Sequence, residues 1–358
     1  MSYELFVEVT RNNIVESRHF GAAVVCDYNG NTLESWGDIT QLVFPRSALK
    51  QMLAIDVIES GASDHFGVSD AELSLACASH QGEPMHQNLV EAWLKRMSLN
   101  IDDLACGKAL PDDIETAHKI LASGHTGCRS HHNCSGKHAA FLTNALHLGL
   151  PTENYNRVGH PLQQRAIDTL NDLAEIDIRQ FPIGIDGCGF PALTMPLSSL
   201  AYAIARFSKP VGLSKQRADA IYQLHTALSK YPLYAAGHGT IVSELCTVTQ
   251  GAVLAKTGAE GVLIAALPEQ GLGIALKIAD GNARPRATAL LAILNHLGIL
   301  SPTQQDKLHA FTTSQIKNSR DEIVGEIRPA PTWLPIPKIQ TNSATPLTQK
   351  TEIHVDHA

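Results

Sequence analysis

Strand-type segments lie at both ends of this 358-residue chain, and the long stretch between them reads as mostly helical. A chain patterned this way closes one sheet only if both ends reach it, so the middle must leave the sheet and return as a separate lobe. Residues Phe6 to Gly37 read as two extended runs. Ala22-Ala23-Val24-Val25-Cys26 is an unbroken apolar run of the buried-strand type, and Asn29-Gly30 follows as a hairpin turn before Thr32 to Trp36 returns. Near the other end, Gly251 to Ala255, Gly261 to Leu267 and Leu272 to Ile278 are strands. Asp280-Gly281-Asn282 is a turn, and Ala287 to Leu297 an apolar helix. Between the ends, Ser47 to Ser60 has Leu49, Met52, Leu53 and Val57 at helical spacing, with Pro45 before it and Gly61 after. From Asp70 to about Lys230 the pattern stays helical. Ser135 to Gly149 starts on a capping serine and carries Ala139, Phe141, Leu142, Ala145 and Leu146. No internal repeat is present.

The expected fold is α/β in the α+β sense: an antiparallel sheet from both chain ends with a large helical lobe. One domain spans 1–328, with a sheet lobe of 1–45 and 235–328 and a helical lobe of 46–234. Residues 329–358 hold Pro329, Pro331, Pro335, Pro337 and Pro346 and read as an extended or disordered tail. A net charge of -7 without a basic patch speaks against nucleic acid or anionic lipid as a partner. No apolar run is long enough to span a bilayer, and Met1 to Thr10 lacks the basic start and apolar core of an export signal. A cytoplasmic protein is expected. The seven cysteines, an odd number, then fit free thiols or a metal site better than a disulfide framework.

Ser47-Ala48-Leu49-Lys50 sets a serine and a lysine on one face of the first helix, and Ala54 continues their stripe. Desolvation lowers the pKa of a lysine buried there, so that it can take the serine proton. The spacing alone is weak, because Ser314-Gln315-Ile316-Lys317 fits it equally. A second element supports the first: Lys256-Thr257-Gly258 follows an apolar run and precedes a strand. A lysine on an inner strand facing a Ser-x-x-Lys helix is the arrangement of serine β-lactamases and penicillin-binding proteins. Ser79-His80, at the end of the apolar run Leu75 to Ala78, is either a helix-capping loop or a second active-site hydroxyl that relays a proton to Lys256.

His131-His132-Asn133-Cys134-Ser135-Gly136-Lys137-His138 is dense in ligand-type side chains. Cys134 precedes a helix N-terminus, where the dipole favours thiolate. Cys188 lies in the glycine-rich segment Gly184 to Pro191. These distant single cysteines are either inert thiols or two ligands of a zinc ion.

Arg46-Ser47-Ala48-Leu49-Lys50, Cys77-Ala78-Ser79-His80, Asn133 to His138, Asp186-Gly187-Cys188 and the Lys256 strand together resemble the asparaginase family typified by the inducible rhizobial enzyme. The resemblance runs from about Val9 to about Pro329, and Asn-Cys-Ser-Gly-Lys-His is its most specific part. It implies a serine β-lactamase-like fold, a homodimer, and hydrolysis of L-asparagine to L-aspartate and ammonia. It further implies two Ser-Lys pairs at one site, Ser47 with Lys50 and Ser79 with Lys256, with Ser47 the nucleophile. Cys134, Lys137 and Cys188 would hold zinc. Arg46, His138 and Asp186 would lie in the substrate pocket, with Asp186 receiving the α-ammonium group. Backbone N–H groups of Ser47 and the Lys256 strand would meet the oxyanion. The Ser-Asp-Asn motif of true β-lactamases does not occur. Two other readings share these residues: a penicillin-recognising amidase or esterase, and a non-catalytic, zinc-stabilised amino-acid-binding protein.

Overall fold

The computed structural model describes residues 2–334. Its main sheet has eight strands: β1 (Glu4–Arg11), β2 (Ile14–Asp27), β3 (Thr32–Trp36), β4 (Leu254–Thr257), β5 (Val262–Leu267), β6 (Leu272–Ile278), β7 (Ser314–Lys317) and β8 (Ile323–Pro329). The strand order is β7-β8-β1-β2-β6-β5-β4, and β3 pairs with the far end of β2, beyond the stretch that pairs with β1. Every pairing in it is antiparallel. The α+β architecture expected from the chain ends is therefore the observed one.

The opening holds three strands rather than the two extended runs read from the sequence. Asn12 and Asn13, with φ of 47° and 64°, make a tight turn between β1 and β2. Asparagine tolerates the left-handed region better than most residues, so the pair marks a hairpin without any glycine. Both faces of β2 are covered from Gly21 to Cys26. Ala22, Val24 and Cys26 pack with the helical lobe, and Ala23 and Val25 with the opposite layer around the helix Arg286–His296. Burial on both faces explains why Ala22 to Cys26 is an unbroken apolar run.

The expected helix Ser47 to Ser60 is broken into a 3₁₀ turn Arg46–Leu49 and the short helices Lys50–Leu53 and Ile55–Glu59. Strand β4 starts at Leu254, three residues later than Gly251, because Gln250 and Gly251 are both left-handed (φ 54° and 84°) at the end of the helix Ile241–Val248. Lys256 consequently lies within the strand. Cys134, not Ser135, is the N-cap of the helix Ser135–His147. Strands β7 and β8 had no strong strand signal, and both sit at one sheet edge, where burial is partial. Residues 329–334, placed with the tail above, continue this lobe: Pro329 pairs with Val7, and the Trp333 ring stacks on Phe6 at 3.9 Å. Residues 335–358 of the expected tail lie outside the described residues.

Two glycines show where backbone must come close. A Cβ on Gly136 would sit 2.2 Å from Leu75 O, so only glycine lets the helix Ser135–His147 rest on the end of the helix Asp70–Ala76. A Cβ on Gly258 would sit 2.3 Å from Pro45 O, which seats the end of β4 against the segment entering the Ser47 turn. Among the described residues no helix is long and apolar enough to cross a membrane.

Candidate active site

Arg46, the first residue of the 3₁₀ turn, has φ 54°, an unusual backbone for a residue with a Cβ. Within the turn Lys50 N–H donates to Ser47 O, an i to i+3 bond. Side chains three apart on a 3₁₀ turn are eclipsed, closer to stacking than on an α-helix. Ser47 and Lys50 both line one narrow cavity, together with Arg46, Lys137, Gln163, Asp186 and Phe190. Its volume is about 20 Å³, room for about one water.

Lys50 is 1% exposed, and its amine is held by Ala78 O at 2.5 Å, Asn133 O at 3.2 Å and Ser79 Oγ at 3.1 Å. The two carbonyls only accept, so they orient two N–H groups and leave the third position facing Ser79. Lys256, also 1% exposed, reaches the other side of Ser79 at 2.8 Å and donates to Thr257 O at 2.8 Å. One hydroxyl thus lies between two amines drawn from the N-terminal turn and the C-terminal part of the sheet. Burial, with the charge of Lys50 beside it, pushes the Lys256 amine well below the ordinary lysine range. That shift favours the uncharged amine, the form that could accept the Ser79 proton while Ser79 Oγ accepts from Lys50. Ser79 N–H, bonded to Ala235 O at 3.2 Å, fixes the loop.

Asp186 and Cys188 sit on a small hairpin in which Gly184 pairs with Ala192 and Ile185 with Pro191. Arg46 Nη2 lies 2.5 Å from Asp186 Oδ1, and that hydrogen bond raises the guanidinium pKa further. This ion pair closes one wall of the cavity.

Cys134, Lys137 and Cys188 come together behind that wall. Lys137 Nζ lies 3.1 Å from Cys188 Sγ and 3.6 Å from the centre of the Phe190 ring. A hydrogen bond shared by the two thiols pulls Cys134 well below the ordinary thiol range and pushes Cys188 up. Burial opposes the charge on Lys137, but the two sulfurs outweigh it and its amine lies above the usual lysine value. Among the described residues no three His, Cys, Asp or Glu side chains gather as a metal cage. Two sulfurs and one amine are nonetheless a suitable donor set for zinc. Ligands of one tetrahedral zinc at the usual bond lengths stand roughly 3.5 Å apart, close to the Lys137–Cys188 separation. The residues fit the ion once Lys137 has lost its proton.

His138 is fully buried and does not line the cavity. It lies one residue further round the helix than Lys137, edge-on to Phe190, with Nδ1 2.6 Å from Tyr155 OH. Burial, followed by the charge of Lys137, holds it well below the ordinary histidine range. It supports the wall from behind. Gly258 N–H, on the segment that follows β4, is engaged by Val262 O at 2.9 Å. Sequence reasoning missed Gln163, which lies in no motif, gave Phe190 no role within the segment Gly184 to Pro191, and missed the carbonyls of Ala78 and Asn133, which have no side-chain signal.

Residues 7–329 match the L-asparaginase II family. No curated protein matches the chain. Among solved structures it is similar to Mglu in its native form, at 12% identity and a TM-score of 0.43, over 79% of this chain and 65% of that one, under two thirds of its length. It is also similar to a β-lactamase from Mycobacterium bovis, at 14% identity and a TM-score of 0.40, over 82% of this chain and 95% of that one.

Proposed function

Given that this chain belongs to the L-asparaginase II family, we propose that it hydrolyses the side-chain amide of L-asparagine to L-aspartate and ammonia by serine-lysine chemistry. The observation that carries this reading is Ser79 Oγ held between Lys50 and Lys256, with Lys50 one 3₁₀ turn from Ser47 and both of these lining one cavity.

Ser47 attacks the carboxamide carbon, and Lys50 takes its proton as it passes one of its own through Ser79 to the Lys256 amine. Ser47 N–H meets the oxyanion, a contact of the kind that contributes about 3 kcal/mol. Ser79 lets the proton pass between the two amines, and the leaving nitrogen departs as ammonia with the proton Ser47 gave up. Water then attacks the β-aspartyl ester, the same relay takes up its proton, and the proton returns to Ser47 Oγ as Ser47 is released. Asp186 receives the substrate's α-ammonium group and Arg46 its α-carboxylate. A cavity of about 20 Å³ cannot hold asparagine, so the Arg46–Asp186 pair parts as substrate enters. Zinc, held by Cys134, Lys137 and Cys188, would supply positive charge and order at the cavity wall. We take the active form to be a homodimer in the cytoplasm.

The test is a coupled ammonia assay on the full chain with L-asparagine and L-glutamine, with nitrocefin and a nitrophenyl ester in parallel. Ammonia from asparagine supports the reading. Turnover of nitrocefin or ester without ammonia moves it to a penicillin-recognising hydrolase. Binding of asparagine without any turnover makes it a binding protein.

A further inference from the structure

Outside this site the densest cluster of reactive side chains surrounds Cys128. Its sulfur lies 3.2 Å from His131 Nδ1 and 3.0 Å from Ser130 Oγ. Ser130 Oγ donates to Glu91 Oε1 at 2.8 Å. Gln87 Nε2 donates to the same carboxylate oxygen at 3.0 Å, which turns Gln87 Oε1 toward His131 Nε2 at 2.8 Å. A carbonyl oxygen only accepts, so Nε2 carries the imidazole proton and Nδ1 presents its lone pair to the Cys128 backbone N–H, at 3.1 Å, and to the thiol. Thiol, imidazole and orienting amide are thus in series, the wiring that activates a sulfur nucleophile. Of the seven cysteines, all free, Cys128 alone is partly exposed, at the base of the exposed segment 121–126.

We infer that Cys128 is a modification site for small electrophilic oxidants of the hydroperoxide class, and that its oxidation lowers the activity of the Ser47 site. The regulatory half rests on the amidase reading above. As the sulfur attacks a peroxide oxygen, the thiol proton passes to His131. The S–O bond forms, the O–O bond breaks, and the departing oxygen leaves with the His131 proton, as water from hydrogen peroxide or as the alcohol from an organic hydroperoxide. Sulfur is oxidised to sulfenic acid and peroxide is reduced. The added oxygen competes with Ser130 and His131 for the space beside the sulfur. Movement of that turn reaches the active site by a short route. Ser130 O accepts from Ser135 Oγ at 3.0 Å, and Ser135 Oγ lies 2.8 Å from Nε2 of His80, the neighbour of Ser79. Burial holds His80 well below the ordinary histidine range, and its Nδ1 accepts from Gly82 N–H, so Nε2 donates to Ser135.

The experiment uses the full-length protein in two arms. In the first, limiting iodoacetamide is followed by peptide mass spectrometry. Cys128 should label about tenfold faster than the other cysteines, and His131→Gln should remove that advantage. Labelling of Cys128 no faster than in the urea-unfolded chain, preferential labelling of Cys134, or an unchanged rate in His131→Gln overturns the site. In the second, hydrogen peroxide with dimedone trapping should mark Cys128 and lower ammonia release about tenfold, while Cys128→Ser keeps its activity under the same treatment. Equal inactivation of Cys128→Ser overturns the regulatory link. The labelling arm needs no catalytic activity, so its result stands apart from the fate of the amidase reading.

Discussion

Two segments of this chain carry the same Ser-x-x-Lys spacing and have nothing else in common. Ser47 and Lys50 lie on a 3₁₀ turn, where residues three apart are eclipsed, and Lys50 is buried against three oxygens. Ser314 and Lys317 lie on the edge strand β7, where residues three apart point to opposite faces, and Lys317 is exposed. The comparison separates spacing from chemistry. A lysine becomes a candidate base when the fold removes its water and puts a hydroxyl beside it. In solvent the same residue is a solubilising charge.

The contrast is most open to breaking at the first segment. Ser47→Ala is expected to lower ammonia release from asparagine at least roughly a thousandfold, with a thermal midpoint within a few degrees of wild type. Near-native turnover would remove Ser47 as the nucleophile. Lys256→Met should cost about a hundredfold, and less in kcat/KM at high pH than at low pH is not expected, because methionine cannot accept a proton at any pH. In the wild type the acid limb of the activity profile should fall as pH drops through the depressed Lys256 value, where the amine becomes charged. Next in size, Cys188→Ser should strip zinc from the purified protein, as read by metal analysis. Retention of the full metal content would place the ion elsewhere.

Stability offers a smaller and sharper distinction. The folded pKa of Lys256 lies below its unfolded value, so between the two the unfolded chain binds the extra proton and wild-type stability rises with pH. Such a group contributes a slope of about 1.4 kcal/mol per pH unit across that window and none outside it. Denaturant titrations at several pH values should show Lys256→Met lacking this component, and an identical slope would mean that Lys256 stays charged in the fold. Ser314→Ala and Lys317→Ala should each change stability by no more than about 0.5 kcal/mol and leave turnover unchanged. An activity loss in either would erase the distinction between the two segments.

Much of the fold was legible because its signals are local. The Asn29-Gly30 turn, the apolar run of β2 and the spacing of Leu272 to Ile278 each follow from a few neighbouring residues. The edge strands were not legible, because partial burial leaves no clear alternation in Ser314 to Lys317 or Ile323 to Pro329. At the site, residue types and order along the chain pointed to Ser47, Lys50, Ser79 and Lys256. The backbone oxygens that hold Lys50 had no signal, since every residue has a carbonyl. His138, a motif residue, is fully buried and does not line the cavity, a placement that its position in the motif does not reveal.

The amino-acid order by itself determined which segments could be strand or helix and which side chains could act as nucleophile, base or ligand, because propensity, periodicity and functional groups belong to the residues themselves. Tertiary structure alone decided that Lys50 and Lys256, 206 positions apart by their numbering, share one hydroxyl, and that burial pushes the Lys256 amine well below the ordinary lysine range. Burial and distance are properties of the packed chain, and they set both the amine's charge and the partner it meets.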